Sequence, residues 1–117
     1  KLLNDTIYYF NHLNSQIDIY SDSILMVDNI EIDYHKKDDW MPIILTDLQK
    51  NKAYTIFTFG TIYSLKEINL QDGTIKEVTK IKKPFPQKIK INNGHLYFLY
   101  KETSSIWDKI KLHQEEL

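Results

Sequence analysis

The chain has 117 residues, of which 42% are hydrophobic, and a formal net charge of -1. One domain with a sizeable core is therefore expected, and this composition is not that of a disordered chain. The absence of cysteine excludes disulfides and thiolate zinc sites. All 15 cationic residues are Lys, and the lack of Arg argues against nucleic acid as a partner, because Arg is the usual bidentate ligand of phosphate and guanine.

Short segments rich in β-branched and aromatic residues, separated by turn residues, predict an all-β fold. The predicted strands are 6–10, 16–20, 30–34, 54–59, 61–70, 74–81, 88–91 and 96–100. Asp72-Gly73 and Asn93-Gly94 each lie between two such segments and indicate β-hairpin turns, since Gly accepts the positive φ that these turns require. No apolar run approaches the roughly 20 residues that cross a bilayer, so no membrane span is expected.

The C-terminal segment 104–117 has two interpretations. Ser105 is a candidate helix N-cap, with Ile106 and Ile110 on one helical face. Against a helix, Glu115 and Glu116 would lie at the negative end of its dipole. The apolar residues also fit the alternation of a strand, and the repeat described next favours a strand.

An internal repeat is suggested by the positions of the apolar residues. A shift of 42 residues places Tyr54 on Leu96 and Ile56 on Phe98, and a shift of 47 relates Ile7 to Tyr54. Periods of about 40 to 50 residues with several strands each are typical of β-propellers, whose blades are small antiparallel sheets that cover one another's faces. The sequence therefore predicts antiparallel four-stranded blades of a β-propeller, as a partial ring.

The predicted blades occupy residues 1–47, 48–86 and 87–117. They amount to about two and a half blades, whereas a closed ring needs about four to eight. We therefore expect this chain to be a fragment of a longer polypeptide, and its partners to be the remainder of the propeller chain or other copies of itself.

A family resemblance rests on two stretches. Residues 63–75 look like the inner-to-outer hairpin of a six-bladed propeller blade, and residues 84–99 resemble the entry of the next blade. Both are similar to six-bladed β-propeller proteins of gut Bacteroidetes, many of them exported lipoproteins of unassigned function. The resemblance implies an extracytoplasmic location, in the periplasm or at the cell surface, and a scaffold role; it supplies no catalytic motif.

The most polar cluster follows the predicted strand 30–34 and contains His35, Asp38, Asp39 and Trp40. A His with two carboxylates could ligate a metal or act as acid and base, but adjacent aspartates point in different directions along an extended chain. A ligand- or partner-binding patch fits better, since Trp40 offers a flat apolar face and the acids accept hydrogen bonds from a glycan or protein ligand. The sequence predicts no metal site and no cofactor.

These observations favour a non-catalytic binding or scaffold module. One alternative is part of a propeller enzyme, a glycan hydrolase or lyase, whose catalytic residues lie mostly outside this segment. Another is a small all-β domain that dimerises through an exposed sheet. The other histidines, including His12, have no acidic neighbours in the sequence and could meet another functional group only through the fold.

Overall fold

The computed structural model describes residues 2–3, 6–103 and 108–117. These residues form β-strands joined by turns, with 3₁₀ turns at His12–Asn14 and Tyr34–Lys36, so that the predicted all-β class is confirmed. The strands are β1 (Leu2–Leu3), β2 (Thr6–Asn11), β3 (Gln16–Tyr20), β4 (Met26–Glu31), β5 (Trp40–Asp47), β6 (Lys52–Phe59), β7 (Ile62–Ile68), β8 (Ile75–Ile81), β9 (Gln87–Asn92), β10 (His95–Thr103) and β11 (Asp108–Glu116).

The strands form three antiparallel sheets, each made of strands that follow one another along the chain. The first sheet has the order β1-β2-β3-β4, the second β5-β6-β7-β8 and the third β9-β10-β11. Within the described residues none of these sheets closes on itself. Local turns explain the topology: at the β9–β10 hairpin, Asn93 and Gly94 both have positive φ, as a two-residue type I′ turn requires.

The predicted strands differ from the structure at two places. The strand expected at 30–34 is β4, which ends at Glu31, and Tyr34 begins a 3₁₀ turn instead. No strand is predicted between residues 34 and 54, yet residues 40–47 form β5. This strand accommodates Pro42 at a sheet edge, where its register to β6 shifts between Met41 and Ile44.

The C-terminal segment is a strand where the structure describes it. Residues 108–116 form β11, which pairs with β10 along its whole length, so the helical alternative is wrong for these residues. The candidate N-cap Ser105 lies outside the described residues.

The first two sheets pack face to face. Ile17 and Ile30 of the first sheet share one buried core with Ala53, Phe57 and Ile68 of the second. All five are at most 8% exposed. Alternation along β6 places its odd-numbered residues in this core, which leaves its even-numbered residues for the opposite face.

That opposite face packs against the third sheet. Tyr54, Ile56 and Leu65 of the second sheet share a core with Leu96 and Phe98 of the third. Both faces of the second sheet are therefore buried, which explains why apolar residues occur there without strict alternation.

The register of the internal repeat needs correction. Tyr54 and Leu96 point toward each other in one core, whereas equivalent positions in successively stacked sheets would face the same way. The first residues of β6 and β10, Lys52 and His95, are 43 residues apart, and this shift places buried Ala53 on Leu96. A change of one residue moves every side chain to the other face of a sheet, so the shift of 42 aligns opposite faces.

A buried carboxylate joins the second and third sheets. Asp47, at the end of β5, is 0% exposed. Its Oδ1 accepts hydrogen bonds from the backbone N–H groups of Gln49 and Lys50 in its own turn. Across the interface, Oδ1 accepts from Asn93 N at 3.0 Å and Oδ2 from Gly94 N at 2.6 Å. The β5–β6 turn is thus tied to the type I′ turn of the next sheet.

The stacked sheets make an elongated molecule. Its radius of gyration is 16.0 Å and its extents are 56 × 29 × 19 Å, whereas a compact domain of this length has a radius of gyration of about 13 Å. In the part of the chain that the structure describes, no helix has both the length and the apolar character needed to cross a membrane.

Candidate functional site

The connection between the first two sheets divides the four predicted site residues into two pairs. His35 lies in the 3₁₀ turn and Trp40 begins β5, and both are half-buried at the junction of the two sheets. Asp38 and Asp39 are exposed, and neither carboxylate makes a hydrogen bond or an ion pair to any described residue. The backbone carbonyl of Asp39 accepts a hydrogen bond from Thr58 N at 2.8 Å, which fixes the loop on β6.

His35 and Trp40 belong to a cluster of four rings, which we call the aromatic cluster: His12, Tyr34, His35 and Trp40. The His12 ring centroid lies 4.7 Å from that of Trp40, 5.4 Å from that of His35 and 5.6 Å from that of Tyr34. His12 comes from the β2–β3 turn and the other three from the connection between the sheets. The cluster therefore joins a turn of the first sheet to the start of the second.

Several polar atoms of the aromatic cluster make specific hydrogen bonds. The Tyr34 hydroxyl and His12 Nε2 are 2.8 Å apart. Burial raises the pKa of Tyr34, so the hydroxyl stays protonated, and the His12 tautomer decides which of the two groups donates. The Trp40 indole Nε1 donates to Thr55 Oγ1 at 2.8 Å, and that hydroxyl donates to the carbonyl of Ile43 at 2.9 Å.

The cluster favours the neutral form of His12. Burial lowers the pKa of His12, and the nearby His35 lowers it further through charge repulsion. Neutral His12 carries one N–H and one lone pair on its ring, so its Nε2 can either donate to the Tyr34 hydroxyl or accept from it.

His35 also contacts a hydroxyl group. Its Nε2 lies 3.2 Å from Ser15 Oγ, a distance at which a base can activate a nucleophile. The other ring nitrogen, Nδ1, is buried and has no hydrogen-bond partner among the described residues. A serine–histidine pair in a hydrolase normally has an acid on that second nitrogen, which holds the ring in its productive tautomer. Asp38 and Asp39 do not supply it.

Ser15 also lines a surface cavity, which we call the junction cleft, with a volume of about 560 Å³. It lies where the ends of β3 and β4 meet the β7–β8 turn. Its lining residues are Asn14, Ser15, Gln16, Glu31, Ile32, Asp33, Lys36, Asp72, Gly73 and Thr74.

The lining of the junction cleft is polar and carries more negative than positive charge. Glu31, Asp33 and Asp72 contribute carboxylates, and Lys36 contributes the one ammonium among the lining residues. Thr74 donates to Asp72 through its hydroxyl at 2.6 Å and its backbone N–H at 3.0 Å, and these bonds lower the pKa of Asp72. Asp72 therefore stays ionised and shapes its turn.

A glycine positions the turn that forms one wall of this cleft. Gly73 has φ +76°, and a Cβ built on it would lie 2.4 Å from the backbone oxygen of Glu31. Any larger residue would have to push the turn away from β4. The Asp72-Gly73 pair predicts the hairpin, but the second role of Gly73, close approach to another sheet, has no signal in the local sequence.

Comparisons with known proteins identify no relative. No family model matches the chain, and no curated protein and no solved structure is significantly similar to it. Among the described residues, no group of three or more His, Asp or Glu is arranged to hold a metal ion. The junction cleft and the aromatic cluster are therefore the features that point to a function.

Proposed function

We propose that the protein is a non-catalytic binding and scaffold module whose three sheets are successive blades of a β-propeller. Each blade would follow the last in the chain and cover its face, and the two shared cores between successive sheets support this arrangement. By its resemblance to six-bladed propellers of Bacteroidetes, we place the protein outside the cytoplasm.

The junction cleft carries the proposal for binding. Its walls come from two sheets and combine carboxylates, amides and hydroxyls on a packed support. Binding sites on rigid scaffolds often place a few polar groups on loops in this way. Asn14, Gln16 and Thr74 can each accept or donate a hydrogen bond, and Glu31 and Asp33 can accept.

A neutral oligosaccharide fits this lining best. Carboxylates accept hydrogen bonds from sugar hydroxyls, and amide side chains accept and donate at once. An anionic ligand would meet three carboxylates against one ammonium and would be repelled. The neighbouring Trp40 donates its indole N–H to Thr55 and packs in the aromatic cluster. We therefore expect the ligand to contact the lining residues of the junction cleft and not Trp40.

The experiment is a titration of the protein with neutral oligosaccharides of different linkage, followed by calorimetry or by amide chemical shifts. We expect shifts at residues 14–16, 31–33 and 72–74. Glu31→Gln and Asp33→Asn should each weaken binding by about tenfold, since a hydrogen bond to a charged group is lost. Asp28→Asn removes an exposed acid elsewhere on the first sheet and should leave the affinity unchanged. Shifts confined to other parts of the chain would contradict the proposal.

The contact between Ser15 and His35 favours a second candidate, a hydrolase. If Ser15 were an activated nucleophile, a fluorophosphonate probe would label it, and His35→Gln would abolish the labelling. We expect no labelling, because no residue that the structure describes bonds to Nδ1 and orients the imidazole. Stoichiometric labelling of Ser15, checked with Ser15→Ala, would overturn the non-catalytic assignment.

A further inference from the structure

The β9–β10 turn contains the one Asn-Gly pair in the sequence, Asn93-Gly94. An asparagine that precedes glycine is especially prone to deamidation, because glycine has no Cβ to hinder the attack of its backbone nitrogen on the asparagine side chain. Asn93 is exposed, so water can reach its side-chain amide. The turn therefore holds a reactive group at the surface, away from the junction cleft and the aromatic cluster.

The reaction consumes water and releases ammonia. The backbone nitrogen of Gly94 gives up its proton and attacks Cγ of Asn93, so that a new C–N bond closes a five-membered succinimide and the side-chain nitrogen leaves as ammonia. Water then opens the ring. Opening at Cγ gives aspartate, and opening at the backbone carbonyl carbon gives isoaspartate, in which the main chain runs through the former side chain. Either product carries a new carboxylate, and nothing is oxidised or reduced.

The buried carboxylate of Asp47 holds the nitrogen that would have to attack. Gly94 N donates to Asp47 Oδ2 at 2.6 Å, and Asn93 N donates to Oδ1 at 3.0 Å. Loss of the Gly94 proton would leave a negative nitrogen beside a carboxylate that is 0% exposed, and like charges repel strongly where water is excluded. The two bonds also restrict the rotation that brings this nitrogen to Cγ of Asn93. We therefore expect the turn to react only when it separates from Asp47.

We propose that Asn93 is a site of spontaneous deamidation, that its contact with Asp47 suppresses the reaction, and that the modification weakens the junction of the second and third sheets. Aspartate at position 93 places a second carboxylate on the turn that binds Asp47, and the two negative charges repel. Isoaspartate adds one carbon to the main chain and displaces the N–H groups of the turn from Asp47, since hydrogen bonds weaken steeply with poor alignment. Each product thus opposes the contact that held the reaction back.

Peptide mapping by mass spectrometry, on protein incubated in mildly alkaline buffer, measures the rate at Asn93. In the folded wild-type chain the rate should be at least about tenfold lower than in guanidinium chloride, where the contact with Asp47 is lost. Asp47→Ala should raise the rate in native buffer by about tenfold or more, because a hydrogen bond to a charged group changes the opening equilibrium of the turn by at least that factor. Asp72→Ala is the matched control and should leave the rate unchanged, since Asp72 bonds to Thr74 within its own turn.

A second asparagine in the same samples separates local release of the turn from unfolding of the whole chain. Asn14 precedes the small residue Ser15 and lies in the β2–β3 turn of the first sheet. The acceleration in Asp47→Ala should be confined to Asn93. If that variant does not fold, Asp47→Asn, which keeps one side-chain oxygen, should show a smaller acceleration that is again confined to Asn93. A rate at Asn93 that is unchanged or lower in the folded variant, or one that rises equally at Asn14, would overturn the proposal.

The effect of the modification on the junction is measured on the products. Deamidated chains carry an extra negative charge and can be separated from unmodified chains by ion exchange. They should unfold at a lower urea concentration than the unmodified protein, and Asn93→Asp should shift the midpoint in the same direction. Midpoints equal to that of the unmodified protein would show that the new carboxylate does not oppose Asp47 and would overturn this part of the proposal.

Discussion

The contact of Asp47 with two turns leads to a quantitative prediction about stability. Asp47→Ala removes the acceptor of four backbone N–H groups, two in its own turn and two in the next sheet. A hydrogen bond to a charged group contributes about 1.5–3 kcal/mol. We count the two bonds that join the sheets, from Asn93 and Gly94, and expect a loss of about 3–5 kcal/mol. That is a large part of the 5–15 kcal/mol by which domains are usually stable.

Urea unfolding followed by circular dichroism measures this loss. The midpoint should fall while the slope of the unfolding free energy against urea stays the same, since the exposed area changes little. Asp47→Asn keeps an oxygen for three of the donors but turns an N–H₂ group toward Gly94, so its loss should be intermediate. Asp72→Ala is the matched control, because Asp72 accepts hydrogen bonds only within its own exposed turn. We expect it to change the midpoint far less.

The result that would refute this reasoning is an Asp47→Ala variant within about 1 kcal/mol of the wild type, since a single neutral hydrogen bond already accounts for that much. Equal losses for Asp47→Ala and Asp72→Ala would refute it as well. In either case the hydrogen bonds of Asp47 would contribute little to the interaction between the second and third sheets.

Substitutions at His12, Gly73 and Trp40 in the first two sheets should also change the stability of the protein. The pKa of His12 is lowered in the folded state, so the unfolded chain binds a proton at this residue more readily. The contribution of His12 to stability should therefore be constant above pH 6.5 and fall as the pH drops from 6.5 through the lowered pKa. His12→Gln should remove part of this pH dependence, as measured by urea titrations at several pH values. Gly73→Ala should destabilise the protein by about 2–3 kcal/mol, because it places an alanine in the left-handed region and displaces the turn from Glu31. Gly60→Ala is the control and should destabilise it by only about 1 kcal/mol, because Gly60 has φ +61° but no atom lies within 4 Å of its new Cβ. Trp40→Phe loses the indole N–H bond and some buried area and should lower the unfolding free energy by about 1–2 kcal/mol in thermal or urea unfolding.

Much of the fold could be predicted because its signals are local. The hairpins at Asp72-Gly73 and Asn93-Gly94 can be recognised from the few residues of the turn itself. Strand β5 is harder to recognise, because Pro42 lies inside it and the chain tolerates the proline only through an irregular edge pairing. Neither the pairing partner nor its irregularity can be read from residues 40–47 alone.

The register of the repeat is a different kind of problem. In β6, Ala53 and Tyr54 are neighbours that face opposite cores, and both are apolar and buried. An alignment that scores apolar on apolar therefore accepts a shift of 42 as readily as one of 43. The β5–β6 turn spans residues 48–51 whereas the β9–β10 turn spans only 93–94, so the period along the chain is not constant.

The candidate site shows the same division between local and distant information. The loop containing His35 and Trp40 could be located from the sequence, as a polar segment after a strand. Its exposed acids, Asp38 and Asp39, do not join the two rings in a site. The residue that does join them, His12, is 23 positions before His35, and only the packing of the first sheet on the second brings the two together.

Sheets that are apolar on both faces need something beyond apolar packing to fix their relative positions. Apolar contacts are non-directional, so sliding one such face over another by a residue pair changes the buried area little. Hydrogen bonds and backbone contacts change sharply with the same displacement. Asp47 ties the second sheet to the third at Gly94, and Gly73 seats the second sheet on the first at Glu31. We therefore expect substitutions at Asp47 and Gly73 to loosen the positions of the sheets before they affect the cores, and hydrogen exchange should increase at the β9–β10 and β7–β8 turns before it increases within β6.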